Sequence, residues 1–366
     1  MPKTTAKLAD GREIIYFDTA PVVGRGRADQ RPMDAVTARS EVRRDPVTGS
    51  WVTIAAHRQA RTYQPPADEC PLCPSRDRRL SEIPDADYQV AVFENRFPSL
   101  GEGPAAPTAE DSPLYFQRPG QGRCEVVCFT ADHDTSFADL TETQARLVLD
   151  AWTDRTAELS ALAGVEQVYC FENRGAEIGV TLPHPHGQIY AFPFTTPRTV
   201  AMRRQADRHR AATGHNLFED LVAIERANSA RTVLSGEHWT AFVPFAARWP
   251  YEVHLYPHRR VPDFTALAEP ERAELPGLYL ELLRRFDRLF ARPEARTSPG
   301  ATPYIAAWHQ APATDGGELA LHLELFTIRR TADKLKYLAG VESGMDAFVN
   351  DIAPETAAQH LREVAS

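Results

Sequence analysis

The 366-residue sequence has little cysteine, no long apolar run and no excess of positive charge, and each shortage removes a class of protein. Five cysteines, thinly spread and odd in number, do not make a disulfide framework, so a reducing cytoplasm is the expected setting. No apolar stretch approaches the roughly 18 residues that suggest a membrane-crossing helix. Residues 1–10 are polar, without the charged and apolar regions of a secretory leader. Neither a membrane nor export is expected. A formal net charge of -9 lacks the basic surplus that binding a phosphate backbone requires, which argues against nucleic acid as a partner. What remains is a chain with 43% hydrophobic side chains, long enough to bury one large core or the cores of two domains without covalent staples.

Proline and glycine concentrate in residues 21–32, 101–113 and 291–303, which read as loops or linkers. Between them lies an internal repeat. Its first copy runs Glu125-Val126-Val127-Cys128-Phe129, then Asp132-His133, then Phe137-Ala138-Asp139-Leu140. The second runs Glu252-Val253-His254-Leu255-Tyr256, then Pro257-His258, then Asp263-Phe264-Thr265-Ala266-Leu267. Both copies enter an amphipathic helix. In the first, Thr141 and Gln144 have capping-box spacing ahead of Val148, Trp152 and Leu159. In the second, Leu275, Leu278, Tyr279, Leu282, Phe286, Leu289 and Phe290 share a helix face. A strand pair follows each helix, residues 168–172 with 187–192 and residues 304–308 with 319–326. This order predicts an α+β class, an antiparallel sheet backed by helices and built twice, with a division at 1–198 and 199–366.

One strand carries the chemistry. In His184-Pro185-His186-Gly187-Gln188, followed by Ile189-Tyr190-Ala191-Phe192, period-two alternation predicts that His184, His186 and Gln188 project together while Pro185 and Gly187 turn away. Gly187, lacking a β-carbon, would let a bulky ligand approach. Taken alone, the pair of histidines also fits a metal pair or a polar sheet edge. Overlaying the repeats sets Ala320-Leu321-His322-Leu323-Glu324 on this strand, so the second copy keeps one of the two histidines. Cys70-x-x-Cys73 is compatible with a redox pair, a metal knuckle or no function.

Ordered along the chain, Arg44-Asp45-Pro46-Val47-Thr48-Gly49-Ser50-Trp51, His57-Arg58-Gln59-Ala60-Arg61, Cys70-Pro71-Leu72-Cys73, Phe93-Glu94-Asn95-Arg96-Phe97, Phe171-Glu172-Asn173-Arg174-Gly175 and the histidine strand resemble the galactose-1-phosphate uridylyltransferases of the histidine-triad superfamily. The resemblance covers nearly the whole chain from about Arg43 onward. It implies two tandem histidine-triad-like domains, a homodimer with active sites near the subunit interface, and transfer of UMP from UDP-glucose to galactose 1-phosphate through a uridylyl-histidine. His186 would be the nucleophile. Gln188, an amide, can donate a hydrogen bond to a phosphoryl oxygen but cannot act as a general acid, which suits transfer between phosphates better than hydrolysis.

The resemblance assigns zinc to Cys70, Cys73, His133 and His184, with no open position for water. It gives substrate contacts to Arg58, Arg61, Asn95, Asn173 and Thr181, and hexose-phosphate contacts to Lys336 and Glu342. Some members bind iron through a glutamate and three histidines. Here His309 and His322 match two of these, Glu324 stands where the third is expected, and Met202 and Arg203 lie where the glutamate would be, so either a metal or a degenerate site is compatible with the sequence. Arg96 replaces an acidic residue of better-known members. Val341 replaces a tyrosine, and the glutamine usual beyond it is missing. Rival readings are a nucleotide-sugar or dinucleoside polyphosphate phosphorylase, distinguished by its acceptor and base, and a zinc-stabilised binding protein without catalysis.

Overall fold

A computed structural model of the chain describes all residues except 36–39, 61–64, 77–78, 102–111, 292–300 and 366. Arg61 and most of the loops at 101–113 and 291–303 therefore lie outside the described residues. The N-terminal half supplies β1 (Lys3–Lys7), β2 (Glu13–Phe17), β3 (Glu41–Arg44), β4 (Trp51–Ile54), β5 (Val90–Glu94), β6 (Phe116–Pro119), β7 (Arg123–Cys128), β8 (Gln167–Arg174) and β9 (His186–Phe192). The C-terminal half supplies β10 (Thr232–Ser235), β11 (Trp239–Phe242), β12 (Tyr251–Pro257), β13 (Tyr304–His309) and β14 (His322–Thr327). Eleven of these form one antiparallel sheet in the order β1-β2-β5-β7-β9-β8-β13-β14-β12-β11-β10, while β4-β3-β6 make a small sheet of their own.

The repeat is visible in this order, because β5-β7-β9-β8 is mirrored by β13-β14-β12-β11. Gln188 pairs with Phe171 and Val126, and Glu324 pairs with Ala307 and His254. Phe171 and Ala307 are thus equivalent, and they are also each other's Cα partner across β8 and β13, so the local two-fold passes between them. The ladders correct the overlay of the first repeat strand by one residue: Val126 corresponds to His254 rather than to Val253. Burial agrees, since Val127, Val253 and Leu255 face the main core. The slip is recovered in the following loop, where Phe137 and Phe264 again occupy the same place, each opening a short 3-10 turn.

Helices α1 (Glu142–Ser160) and α4 (Glu269–Arg288) bury the apolar stripes read from the sequence against one face of the sheet. The N-terminus of α1 forms half of the expected capping box. Thr141 Oγ1 accepts from Gln144 N at 3.2 Å, but the Gln144 side chain donates to the carbonyls of Gln89 and Phe129 instead, each at 2.7 Å. The opposite face differs between the halves. In the C-terminal half, α2 (Pro197–Thr213) and α3 (Leu217–Asn228) pack over it through Ala206, Phe218 and Val222. In the N-terminal half that face borders a cleft. The remaining helices, α5 (Gly340–Met345) and α6 (Pro354–Glu363), follow β14.

Candidate active site

The open face of the N-terminal half gathers Arg58, Asn95, Asn173, Thr181, His186 and Gln188 around one cleft. Strand alternation accounts for most of this. His186 and Gln188 are alternate residues of β9, Asn173 shares its face of β8 with Phe171, and Asn95 follows β5. Arg58 comes from a short 3-10 turn over Ala56–Ala60. Phe93, Phe97, Val126, Phe171 and Leu72 supply apolar walls, and Arg96 stands at the rim, 48% exposed at its side chain. Polar groups and apolar walls face the same hollow, the usual construction of a small-molecule site.

His186 is oriented by its own strand. Its Nδ1 lies 2.7 Å from the His184 carbonyl oxygen, which only an N–H donor can satisfy. Nε2 therefore carries the lone pair, on a ring that lines the cleft. Burial lowers the basicity of His186 below that of an ordinary histidine, which keeps the ring neutral at pH 7.

His184 precedes β9, which begins at His186, and is not among the residues that line the cleft. Before the strand, the Pro185 carbonyl accepts from Phe129 N at 3.3 Å, and the His184 ring turns into the protein, 1% exposed. One expectation about this strand, that for Gly187, is corrected. Gly187 does not clear the way for a ligand. A β-carbon there would lie 2.8 Å from Phe129 Cζ and 2.9 Å from the Phe171 carbonyl oxygen, so the glycine admits the protein's own Phe129.

The turned-in His184 belongs to a second cluster. The Cys73 sulfur lies 3.4 Å from His133 Nδ1 and 3.5 Å from His184 Nδ1, and with Cys70 the four ligand atoms fall within 4.8 Å of one another. His184 Nε2 is 2.8 Å from both the Thr130 carbonyl oxygen and the Tyr88 hydroxyl, and that hydroxyl donates to the Leu72 carbonyl at 3.0 Å. Nε2 thus bears the proton and Nδ1 offers its lone pair to the cluster. Burial drives the His184 pKa down to about 4. Two thiols and two imidazoles with an outer hydrogen-bond shell fit a tetrahedral metal. Cys124 and Cys128 lie on β7 and Cys170 on β8, all buried.

The other assigned residues fall elsewhere. Lys336 and Glu342 pair with each other, Lys336 Nζ to Glu342 Oε1 at 2.6 Å, and neither lines the His186 cleft. His309, His322 and Glu324 do converge, with ligand atoms within 4.8 Å. Yet Arg198, near the start of α2, places Nη2 2.6 Å from both Glu324 oxygens. As they stand, these residues do not fit a metal ion, because the only carboxylate of the triad is already held by a cation. Sequence reasoning missed Arg198. It also missed Tyr190, whose hydroxyl accepts from Arg58 Nη1 at 3.3 Å and whose ring lines the cleft. Continuing the alternation two residues beyond Gln188 would have found it.

Comparison with known proteins agrees with this architecture. The family model described as galactose-1-phosphate uridyl transferase, N-terminal domain, matches residues 29–196, and its C-terminal counterpart matches residues 202–366. A galactose-1-phosphate uridylyltransferase of Streptomyces lividans is 54% identical, over 100% of this chain and 98% of that protein. One from Thermotoga maritima is 36% identical over 88% of this chain and 98% of its own length. A solved uridylyltransferase structure superposes with a TM-score of 0.76 at 33% identity, covering 88% of this chain and 98% of that one. An ADP-glucose phosphorylase from Arabidopsis thaliana shares the fold, with a TM-score of 0.65 at 21% identity over 89% of this chain and 99% of that one. The chain belongs to the galactose-1-phosphate uridylyltransferase family.

Proposed function

We propose that this chain moves UMP from UDP-glucose to galactose 1-phosphate in two displacements at His186. The observation that carries this reading is the His186 ring, fixed by the 2.7 Å contact of Nδ1 with the His184 carbonyl and lining a cleft with Gln188 and Arg58. In the first displacement the Nε2 lone pair forms a bond to the α-phosphorus, and the bond from that phosphorus to the bridging oxygen breaks. The electron pair departs with glucose 1-phosphate. Positive charge that builds on the ring is stabilised through Nδ1–H and the carbonyl. In the second, a phosphate oxygen of galactose 1-phosphate attacks the same phosphorus, the nitrogen–phosphorus bond breaks, and its electrons return to Nε2. Each leaving group is a stable anion or a neutral ring, so no general acid is needed. Gln188 donates its amide N–H to a non-bridging oxygen as charge gathers there, and Arg58 supplies a guanidinium fork for phosphate. Asn95, Asn173 and Thr181 hold the uridine, ribose or phosphate.

Cys70, Cys73, His133 and His184 would hold zinc, which when bound fills its coordination with protein ligands and so acts structurally, fixing the His184 carbonyl on which His186 leans. Arg61 is a further phosphate contact in this reading. Lys336 and Glu342 would serve the hexose phosphate of a neighbouring copy in a cytoplasmic homodimer. Exposed Tyr337, Leu338, Val341, Met345 and Val349 around that pair support a second subunit there. The boundary at 198/199 is kept as the division between the two units, supported by family matches that end at 196 and resume at 202.

The test is to incubate the protein with UDP-glucose and no acceptor and to measure its intact mass. A UMP-sized addition is expected in the wild type and not in His186→Asn, and galactose 1-phosphate should discharge it as UDP-galactose. Label on another residue would overturn the nucleophile. Discharge by inorganic phosphate in preference to the sugar phosphate would establish a phosphorylase instead.

A further inference from the structure

The C-terminal half repeats the catalytic strand in detail without repeating the cleft. His322 Nδ1 lies 2.9 Å from the Ala320 carbonyl oxygen, the contact that His186 makes with His184, so His322 also presents Nε2 as a lone pair. That nitrogen is buried and has no hydrogen-bond partner among the described residues. His309, its register partner on β13, stacks on it with ring centroids 4.9 Å apart and planes at 10°. Glu324 holds the place of Gln188, with Oε2 3.4 Å from His309 Nε2 and Oε1 3.6 Å from His322 Nε2. Two imidazoles and a carboxylate at such separations are a common donor set for a divalent first-row metal.

The charge of the cluster is nevertheless met from within the protein. Arg198 Nη2 sits 2.6 Å from each oxygen of Glu324, so a guanidinium occupies the side of the carboxylate that a metal would share. The neighbouring acid is also engaged. Glu252 Oε1 is 2.9 Å from His254 Nε2, and its Oε2 accepts the backbone N–H groups of Arg248 at 2.6 Å and Trp249 at 3.2 Å. A dication entering the triad would meet a fixed positive charge and a carboxylate whose lone pairs are already directed at N–H donors. We propose that Arg198 takes the place of a metal ion in this half, and that removing its charge turns His309, His322 and Glu324 into a divalent-cation site.

The measurement is the metal content of the full-length protein, followed by titration with Co²⁺ read by visible absorption. Thiolate ligation at the cysteine cluster gives a sulfur-to-cobalt charge-transfer band, which separates that site from a histidine–carboxylate one. Wild type is expected to show cobalt with the thiolate signature alone. Arg198→Leu should take up a further equivalent without that signature, and adding His322→Ala should abolish it. A thiolate-free equivalent already present in the wild type and lost in Glu324→Gln would overturn the proposal. So would a folded Arg198→Leu protein that binds no more than wild type. If Arg198→Leu does not fold, wild type against Glu324→Gln still decides, because the thiolate-free band is expected in neither.

Discussion

The two halves of the sheet hold the same strand in opposite circumstances. On β9, His186 and Gln188 line an open cleft, whereas on β14 their counterparts His322 and Glu324 are 1% and 6% exposed beneath α2 and α3. The histidine geometry is common to both, since each ring donates Nδ1–H to the carbonyl two residues before it. The difference lies in the residue two positions on and in what covers the face. A neutral amide beside an open cleft leaves the lone pair accessible. A carboxylate beside Arg198 under two helices makes the same lone pair part of the packing. The core face adapts in step: Leu323 fills its place in the C-terminal half, while its counterpart Gly187 leaves room for Phe129. The histidine geometry alone does not distinguish the two copies; access and local charge do.

The largest effect should come from exchanging the equivalent histidines. His186→Asn is expected to lower kcat by roughly 10⁴-fold or more, as loss of a covalent nucleophile does, while His322→Asn should change it less than about tenfold and act mainly on stability. Steady-state kinetics on both folded variants checks this. An equal loss in the two would mean that the C-terminal copy takes part in the reaction. Next comes the residue two positions on. Gln188→Glu brings the carboxylate of the C-terminal half into the cleft, where it removes an N–H donor and repels phosphate, so uridylylation should slow by about 10²-fold or more. Rapid-quench formation of the labelled enzyme measures it, and an unchanged rate would place the stabilising donor elsewhere.

The cysteine cluster has no counterpart among the described metal-capable groups of the C-terminal half, which contain only histidines and carboxylates. Cys73→Ser is therefore expected to lose zinc, to lower Tm by roughly 5–10 °C and to lower turnover with it, because His184 both belongs to the cluster and carries the carbonyl that orients His186. Elemental analysis with a thermal melt checks this. Metal-free protein with normal Tm and turnover would separate the cluster from the nucleophile.

Much of this was legible in the sequence because it rests on short-range periodicity. The repeat, the two helices and the grouping of His186, Gln188, Asn95, Asn173 and Thr181 follow from alternation and the family motifs. What escaped depends on departures from regular geometry or on distant partners. His184 belongs to the cysteine cluster rather than to the cleft, a division that alternation alone does not show. The segment joining β12 to Phe264 is one residue shorter than the segment joining β7 to Phe137, a difference invisible to a residue-by-residue overlay until the ladders are known, and it hid His254 as the partner of Glu324. Arg198 meets Glu324 from 126 positions away, and no local pattern announces such a pair. Lys336 and Glu342 carry the family pattern, but within one chain they satisfy each other.

The smallest expected effect tests the seam between the halves, where a buried acid corresponds to a buried tryptophan. Glu172 on β8 corresponds to Trp308 on β13, and both are buried, at 4% and 1% exposed. Tyr304 donates its hydroxyl to Glu172 Oε2 at 3.0 Å, but burial dominates and pushes the carboxyl pKa up to about 7 from 4.5, against the pull of Arg174. In the unfolded chain the same group ionises near 4.5. Between these values the folded state holds a proton that the unfolded state has released, so stability falls as pH rises through that window and levels off above about 7. The total is about 3 kcal/mol at most. Glu172→Gln keeps the shape and the hydrogen bond to Tyr304 while removing the titration. Its Tm should approach that of wild type at pH 5 and exceed it by a few degrees at pH 8, as read from denaturation curves across that range. If the variant loses stability with rising pH as steeply as wild type, the titrating group lies elsewhere, and the buried carboxyl at the seam is as inert as the tryptophan that matches it.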